Sequence, residues 1–219
     1  MYMPGRGAEV RCTLWAVEAL RSVGERLDEA RLRRWVTALQ NPDGGFGYWL
    51  GRGSDLVSTA SAVELADRLT GGDPGAVLDA RRAIGFVTSC RDGSLVRANP
   101  AGEVTATATA QAARVLGLLG EHAAARGPRA ELAGFARAIG GYGATTRALP
   151  DLATTYQVAL TGAADREAVR GLLARIDLGG RFAWTPLSRQ PAGPLADCLG
   201  ASLTRWVADP EFPLPRLNL

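Results

Sequence analysis

Three carboxylates recur along the chain at an interval of about 48 residues: Asp55, Glu103 and Asp151. Each stands just before a stretch rich in Ala, Ser and Thr. A carboxylate there can cap the first turn of a helix and answer its dipole. If the helix starts gather at one rim of a cavity, the same groups can hold a cation or act as general acid or base. One turn further on stand Thr59, Thr107, Thr155 and Asp197. In a shared register these form an inner ring whose one carboxylate is Asp197; the threonines serve equally as small-residue packing. A buried, unpaired carboxylate is costly in its charged form, so its pKa rises, as a general acid requires. Trp15, Phe46, Trp49, Tyr156 and Trp184 can line an apolar pocket and stabilise developing cations, or can simply be core.

Composition removes other chemistries. All 25 basic residues are Arg, and His122 is the single His. No Lys can form a Schiff base, no His pair can hold a metal, and a His-centred triad has one candidate base. The arginines are scattered and the formal net charge is +3, so no nucleic-acid patch emerges. Cys12, Cys90 and Cys198 are far apart and odd in number, which reads as buried free thiols rather than a disulfide framework. No apolar leader and no membrane-length apolar run is seen, so the expectation is a cytoplasmic protein without a membrane span.

The elements that must position these residues come in two kinds. Stretches beginning near Cys12, Val57, Val104, Leu152 and Leu195 are poor in charge and rich in small residues, which predicts helices buried on most sides. Between them lie Arg-rich amphipathic stretches, Leu27 to Leu39, Val77 to Val87, Ala130 to Ile139 and Arg166 to Ile176. Alternation at a fixed period describes helix pairs stacked side by side, with the small-residue helices inside a tight curve. The count is five inner and four outer helices in one all-α domain, residues 1–219, ending in an extended Pro-rich tail over 209–219 that packs along the surface.

Leu39-Gln40-Asn41-Pro42-Asp43-Gly44-Gly45-Phe46-Gly47 resembles a turn of protein prenyltransferase β-subunits. With Trp35 and Trp49 it also resembles the glutamine–tryptophan motif of squalene–hopene cyclases, in which the Gln can bond the end of an outer helix. Asp92-Gly93-Ser94 followed by Gly102-Glu103-Val104 is similar to a second prenyltransferase segment, and Trp15 matches an aromatic that contacts the isoprenoid. The resemblance implies an α/α toroid of helical hairpins. Its functional residues, however, are replaced: Asp55 and Asp151 stand where His would be, and Thr105 and Thr107 where Asp and Arg would be. The zinc-ligand stretch reads Gly193-Pro194-Leu195, with Asp197-Cys198 later and no matching His, so no metal and no cofactor are expected. The cyclase acid motif is absent as well.

Two functions follow. One is an enzyme of natural-product biosynthesis that binds an apolar, isoprenoid-, polyene- or polyketide-like substrate in a central cavity. It would cyclise or rearrange it with Asp197, Asp151 and Asp55 as acid or base, and with Trp15, Thr59, Glu103, Thr107, Thr155 and Tyr156 shaping the site. The other is a non-catalytic toroid that binds a hydrophobic ligand or a partner. A protein prenyltransferase subunit is disfavoured by the lost zinc ligands. With five inner helices the ring is incomplete, and an open ring exposes apolar flanks that the tail around Phe212 or a homodimer would cover.

Overall fold

The computed structural model describes residues 8–209 and 211–219. Among them are nine α-helices: α1 (Val10–Ser22), α2 (Glu29–Ala38), α3 (Leu56–Thr70), α4 (Ala80–Ser89), α5 (Ala106–Leu118), α6 (His122–Glu131), α7 (Leu152–Leu160), α8 (Arg166–Ile176) and α9 (Pro194–Ala208). The strands are two residues each, β1 (Arg91–Asp92) and β2 (Leu95–Val96), paired antiparallel across a turn. The chain is thus mainly helical, as the periodicity predicts.

Odd-numbered helices pack on one another in chain order, α1 on α3, α3 on α5, α5 on α7 and α7 on α9. The even-numbered helices α2, α4 and α8 bury one stripe each, such as Val169, Leu172, Leu173 and Ile176 of α8. By contrast α3 is buried almost throughout, from Leu56 to Leu69, because Ser58, Thr59, Ala60, Ser61 and Ala62 let neighbouring helices approach on every side.

One outer helix was misplaced by the sequence. The third was expected over 130–139; α6 instead spans His122–Glu131 and passes into a 3₁₀ turn, Leu132–Phe135. Gly127-Pro128 reads as a break, since an interior Pro costs a helix about 3 kcal/mol. Here Pro128 lies one turn beyond Ala125, both are buried, and α6 packs extensively on α5. That contact overrides the local preference.

The repeats are joined by a recurring hydrogen-bond frame. Two residues after each turn begins, a carbonyl accepts the first N–H of the preceding odd-numbered helix: Val10 to Tyr48 at 2.9 Å, Leu56 to Ala98 at 2.8 Å, Ala106 to Ala144 at 2.9 Å and Leu152 to Trp184 at 2.9 Å. The turn's own N–H is held by a side chain one turn inside the following helix: Phe46 by Thr59 Oγ1 at 3.1 Å, Val96 by Thr109 Oγ1 at 3.2 Å, Tyr142 by Thr155 Oγ1 at 2.9 Å and Phe182 by Asp197 Oδ1 at 2.8 Å. In α9 the first residue is Pro194, which has no N–H to give, so the coupling stops there.

Two turns also touch the next outer helix closely enough to need glycine. A Cβ on Gly44 (φ +89°) would sit 2.1 Å from the Arg82 carbonyl oxygen in α4, and one on Gly140 (φ +96°) 2.6 Å from the Gly171 backbone in α8. Gln40 fixes the first of these contacts. Its Nε2 donates to the Gly44 and Asp79 carbonyls at 3.0 Å each, and its Oε1 accepts the Asp79 N–H at 2.9 Å.

The clasp can be tested at Thr155, where Val preserves shape and removes the acceptor. Thr155→Val strands the buried Tyr142 N–H and should cost about 1–3 kcal/mol in urea denaturation, with Thr155→Ser nearer wild type. Equal stability of the two variants would show that the bond contributes nothing.

Candidate functional site

Helix starts place the expected carboxylates. Asp55 caps α3: one oxygen accepts the Ser58 N–H at 2.8 Å and the other the Ser58 hydroxyl at 2.9 Å. Asp151 caps α7 in the same way, through Thr154 N–H and hydroxyl at 2.7 Å each. Burial pushes both carboxyls up, against the pull of these hydrogen bonds. Glu103 does not join them. The cap of α5 is Thr105, whose side chain accepts the Ala108 N–H, while Glu103 is exposed two residues earlier. Of the three expected helix-start carboxylates, two are therefore caps.

The ring of threonines needs the same correction. Thr59 and Thr155 are fully buried clasps, but in α5 that place belongs to Thr109, not Thr107. The helix begins later than the Ala-Thr alternation suggests, and this moves the register by two residues. Asp197 is the fourth clasp and is not a buried acid. It accepts the Phe182 N–H and pairs with Arg181, and its carboxyl is held below the usual range, chiefly by the Phe182 N–H and then by Arg181. Its neighbour Cys198 is exposed, not buried, and among the described residues no three His, Cys, Asp or Glu side chains converge to hold a metal.

Trp15 is partly buried against the core of the first helices, with the Arg11 guanidinium over its ring at 5.4 Å. Tyr156 is the predicted aromatic that meets the C-terminal tail. It is fully buried, and its hydroxyl donates to the Pro215 carbonyl at 2.7 Å. Its partner belongs to the C-terminal tail, which corrects the expectation of a surface strap. Phe212 and Leu214 pack beside Trp206 and Leu203, and the chain then crosses α7, α5 and α3.

That crossing rests on polar residues the sequence reading passed over. Glu64 of α3 is 1% exposed and Gln157 of α7 is fully buried, as is Asn218 of the tail. Arg114 of α5 is paired with Glu64. Its guanidinium also reaches Asn218 Oδ1 at 3.0 Å and Gln157 Oε1 at 3.3 Å. Asn218 Nδ2 returns to Glu64 Oε2 at 2.9 Å, and Gln157 Nε2 donates to the Leu217 carbonyl at 2.7 Å. Arg216 pairs with Asp67, one turn along α3. Burial, and next the nearby Arg216 charge, push the Arg114 guanidinium down to about 9, so it stays charged at neutral pH. The signal was present in the sequence: Glu64 and Arg114 are charges within stretches otherwise rich in small and apolar residues, and Gln111 and Gln157 repeat at one helix position.

In comparisons with known proteins, no family model matches the chain and no curated protein matches it. The likeness to prenyltransferases and cyclases rests on the short motifs alone. Of these, the Gln40 turn does bond an outer-helix end, the start of α4.

The network sets two expectations. Glu64→Ala leaves Arg114 buried and unpaired and should cost about 3–5 kcal/mol, whereas Glu64→Leu with Arg114→Met removes both charges and should recover most of it. A double variant no more stable than the single one would show that the pair is not coupled. For Asp151, the folded chain keeps its proton to higher pH than the unfolded chain. Its contribution is then greatest below the ordinary carboxylate pKa and falls as pH rises through the raised one. Asp151→Asn should abolish this slope in unfolding curves between pH 3.5 and 7, and Asp151→Ala should cost about 1 kcal/mol as a lost cap. An unchanged slope in the Asn variant would contradict it.

Proposed function

We propose that the chain is an open α/α toroid of helical hairpins, five inner and four outer, acting as a non-catalytic binding or partner protein. The observation that carries this reading is the seat of the tail. Residues 215–219 bond to Glu64 of α3, Gln111 and Arg114 of α5 and Tyr156 and Gln157 of α7, so the chain's own tail occupies the polar groups those helices share. The carboxylates expected to do chemistry are occupied: Asp55 and Asp151 as caps, Asp197 as a clasp. The buried carboxylates of α3, Glu64 and Asp67, are neutralised by Arg114 and Arg216.

A second reading keeps the cyclase. Asp55 and Asp151 are partly buried carboxyls with raised pKa at the starts of α3 and α7, as acid catalysis requires. In that reading the tail leaves to admit an apolar substrate. The two separate in one experiment. The full chain and a form ending at Leu214 are incubated with polyprenyl and polyene substrates, and products are followed by mass spectrometry. The binding reading expects no turnover by either form, and a truncated form that is less stable because Glu64, Arg114 and Gln157 lose their partners. Turnover by either form, lost in Asp151→Asn, would replace it with the cyclase.

A further inference from the structure

A hollow of about 500 Å³ opens beside the polar network, between α5, α6, the end of α7 and the tail. It takes in the C-terminal parts of α5 and α7, away from the helix starts at which Asp55 and Asp151 sit. Its charged lining is Arg114, Arg126, Arg129 and Arg216 against the single carboxylate Glu64, with His122 at the edge. Two of these cations are already answered, Arg114 by Glu64 and Arg216 by Asp67. Arg126 and Arg129 are exposed and have no acidic partner among the described residues. They occupy one face of α6 together with His122 and Ala125, at a spacing of three to four residues.

This arrangement has a physical imbalance. Two unanswered guanidiniums are gathered at a recess whose back wall already holds Arg114 and Arg216. The ends of α5 and α7 bring partial negative charge, about half a unit each, which two full guanidinium charges exceed. Net of those ends about one positive charge is left over, and a phosphate monoester, about −1.5 to −2 at neutral pH, has the sign and the acceptor oxygens to answer both guanidiniums. Guanidinium forks pair with phosphate oxygens two at a time, and several donors can share one phosphate. The remaining lining is small or apolar, and the volume leaves room for a body beyond the phosphate.

We propose that this hollow is a binding site for a small phosphorylated molecule, its phosphate held by Arg126 and Arg129 with Arg114 and Arg216 behind. The site is independent of whether the inner face is catalytic, because it lies at the other end of the helices. It also links ligand to tail, since Arg216 is a tail residue that pairs with Asp67 of α3.

The test uses the full chain and titration calorimetry with inorganic phosphate and glucose 6-phosphate, each against sodium chloride of equal ionic strength. Arg126→Ala/Arg129→Ala removes the proposed contacts at exposed positions, with folding checked by circular dichroism. Arg31→Ala/Arg175→Ala removes the same charge from exposed positions elsewhere. Binding should weaken at least tenfold in the first variant and less than twofold in the second. Equal affinity for both probes would assign recognition to the phosphate alone, and tighter ester binding would assign the rest of the hollow to the ligand's body. The proposal is overturned if neither probe binds beyond the salt control, or if both variants weaken binding alike. It is also overturned if a poly-glutamate peptide binds where the phosphates do not, which would make the hollow a docking surface for an acidic protein segment.

Discussion

An α-helix begins with N–H groups that its own turns cannot satisfy, and a protein of stacked buried helices must find acceptors for all of them. In this chain the answer is mostly external to each helix. The first N–H of α1, α3, α5 and α7 is taken by a carbonyl of the following turn, and the cap at each of these starts is a side chain of Glu9, Asp55, Thr105 or Asp151. A hairpin on its own therefore leaves a buried donor unpaired, and each unit is completed by the next. That makes the array cooperative along its length, in the manner of a nearest-neighbour chain. Pro194 resolves the end condition, since a helix whose first residue lacks an N–H needs no following turn.

The same economy explains the tail. Small residues bring α3, α5 and α7 close, and any polar side chain on their shared face must then be paired inside the protein. Glu64 and Arg114 neutralise each other but have further donor and acceptor capacity to satisfy. Asn218 offers one donor and one acceptor at once, and it uses both, Nδ2 on Glu64 and Oδ1 on Arg114. Backbone carbonyls at Pro215 and Leu217 supply the acceptors for Tyr156 and Gln157. A buried ion pair is weak evidence for stability, but it discriminates strongly between registers, because a shift of one residue would place Leu against both charges.

Periodicity made the helices legible, and it failed where a local pattern imitated a boundary. The buried helices α3, α5 and α7 follow from their charge-poor composition and α8 at Arg166–Ile176 from its apolar stripe, but α1, expected to be buried on most sides, buries one stripe of Val10, Leu14 and Val17 because it carries Arg11, Glu18 and Arg21. The start of α5 was set two residues early because Val104 to Ala110 alternates Thr and Ala without a marker, and that error moved Glu103 and Thr107 into roles held by Thr105 and Thr109. Pro128 hid α6. Asp197 was legible as a position but not in its state, since the Arg181 that neutralises it arrives from the loop before and has no fixed spacing to announce it. The Glu64–Arg114–Asn218 cluster joins residues about 50 to 150 positions apart, and no short motif spans such distances.

These placements separate structure from function along the helix axis. At the N-terminal ends the recurring residues are consumed in holding repeat to repeat, and evolution of a catalytic group there would have to displace a cap or a clasp. At the C-terminal ends no comparable frame exists, because the inner helices end at different lengths and pass into loops of different kinds. Polar and charged residues there are free of the repeat's constraints. At the hollow, Arg126 and Arg129 of α6 have no acidic partner among the described residues, while Arg114 and Arg216 are matched to Glu64 and Asp67. Nothing in the repeat's hydrogen-bond frame uses Arg126 or Arg129, so a ligand at the hollow can engage both without displacing a cap or a clasp.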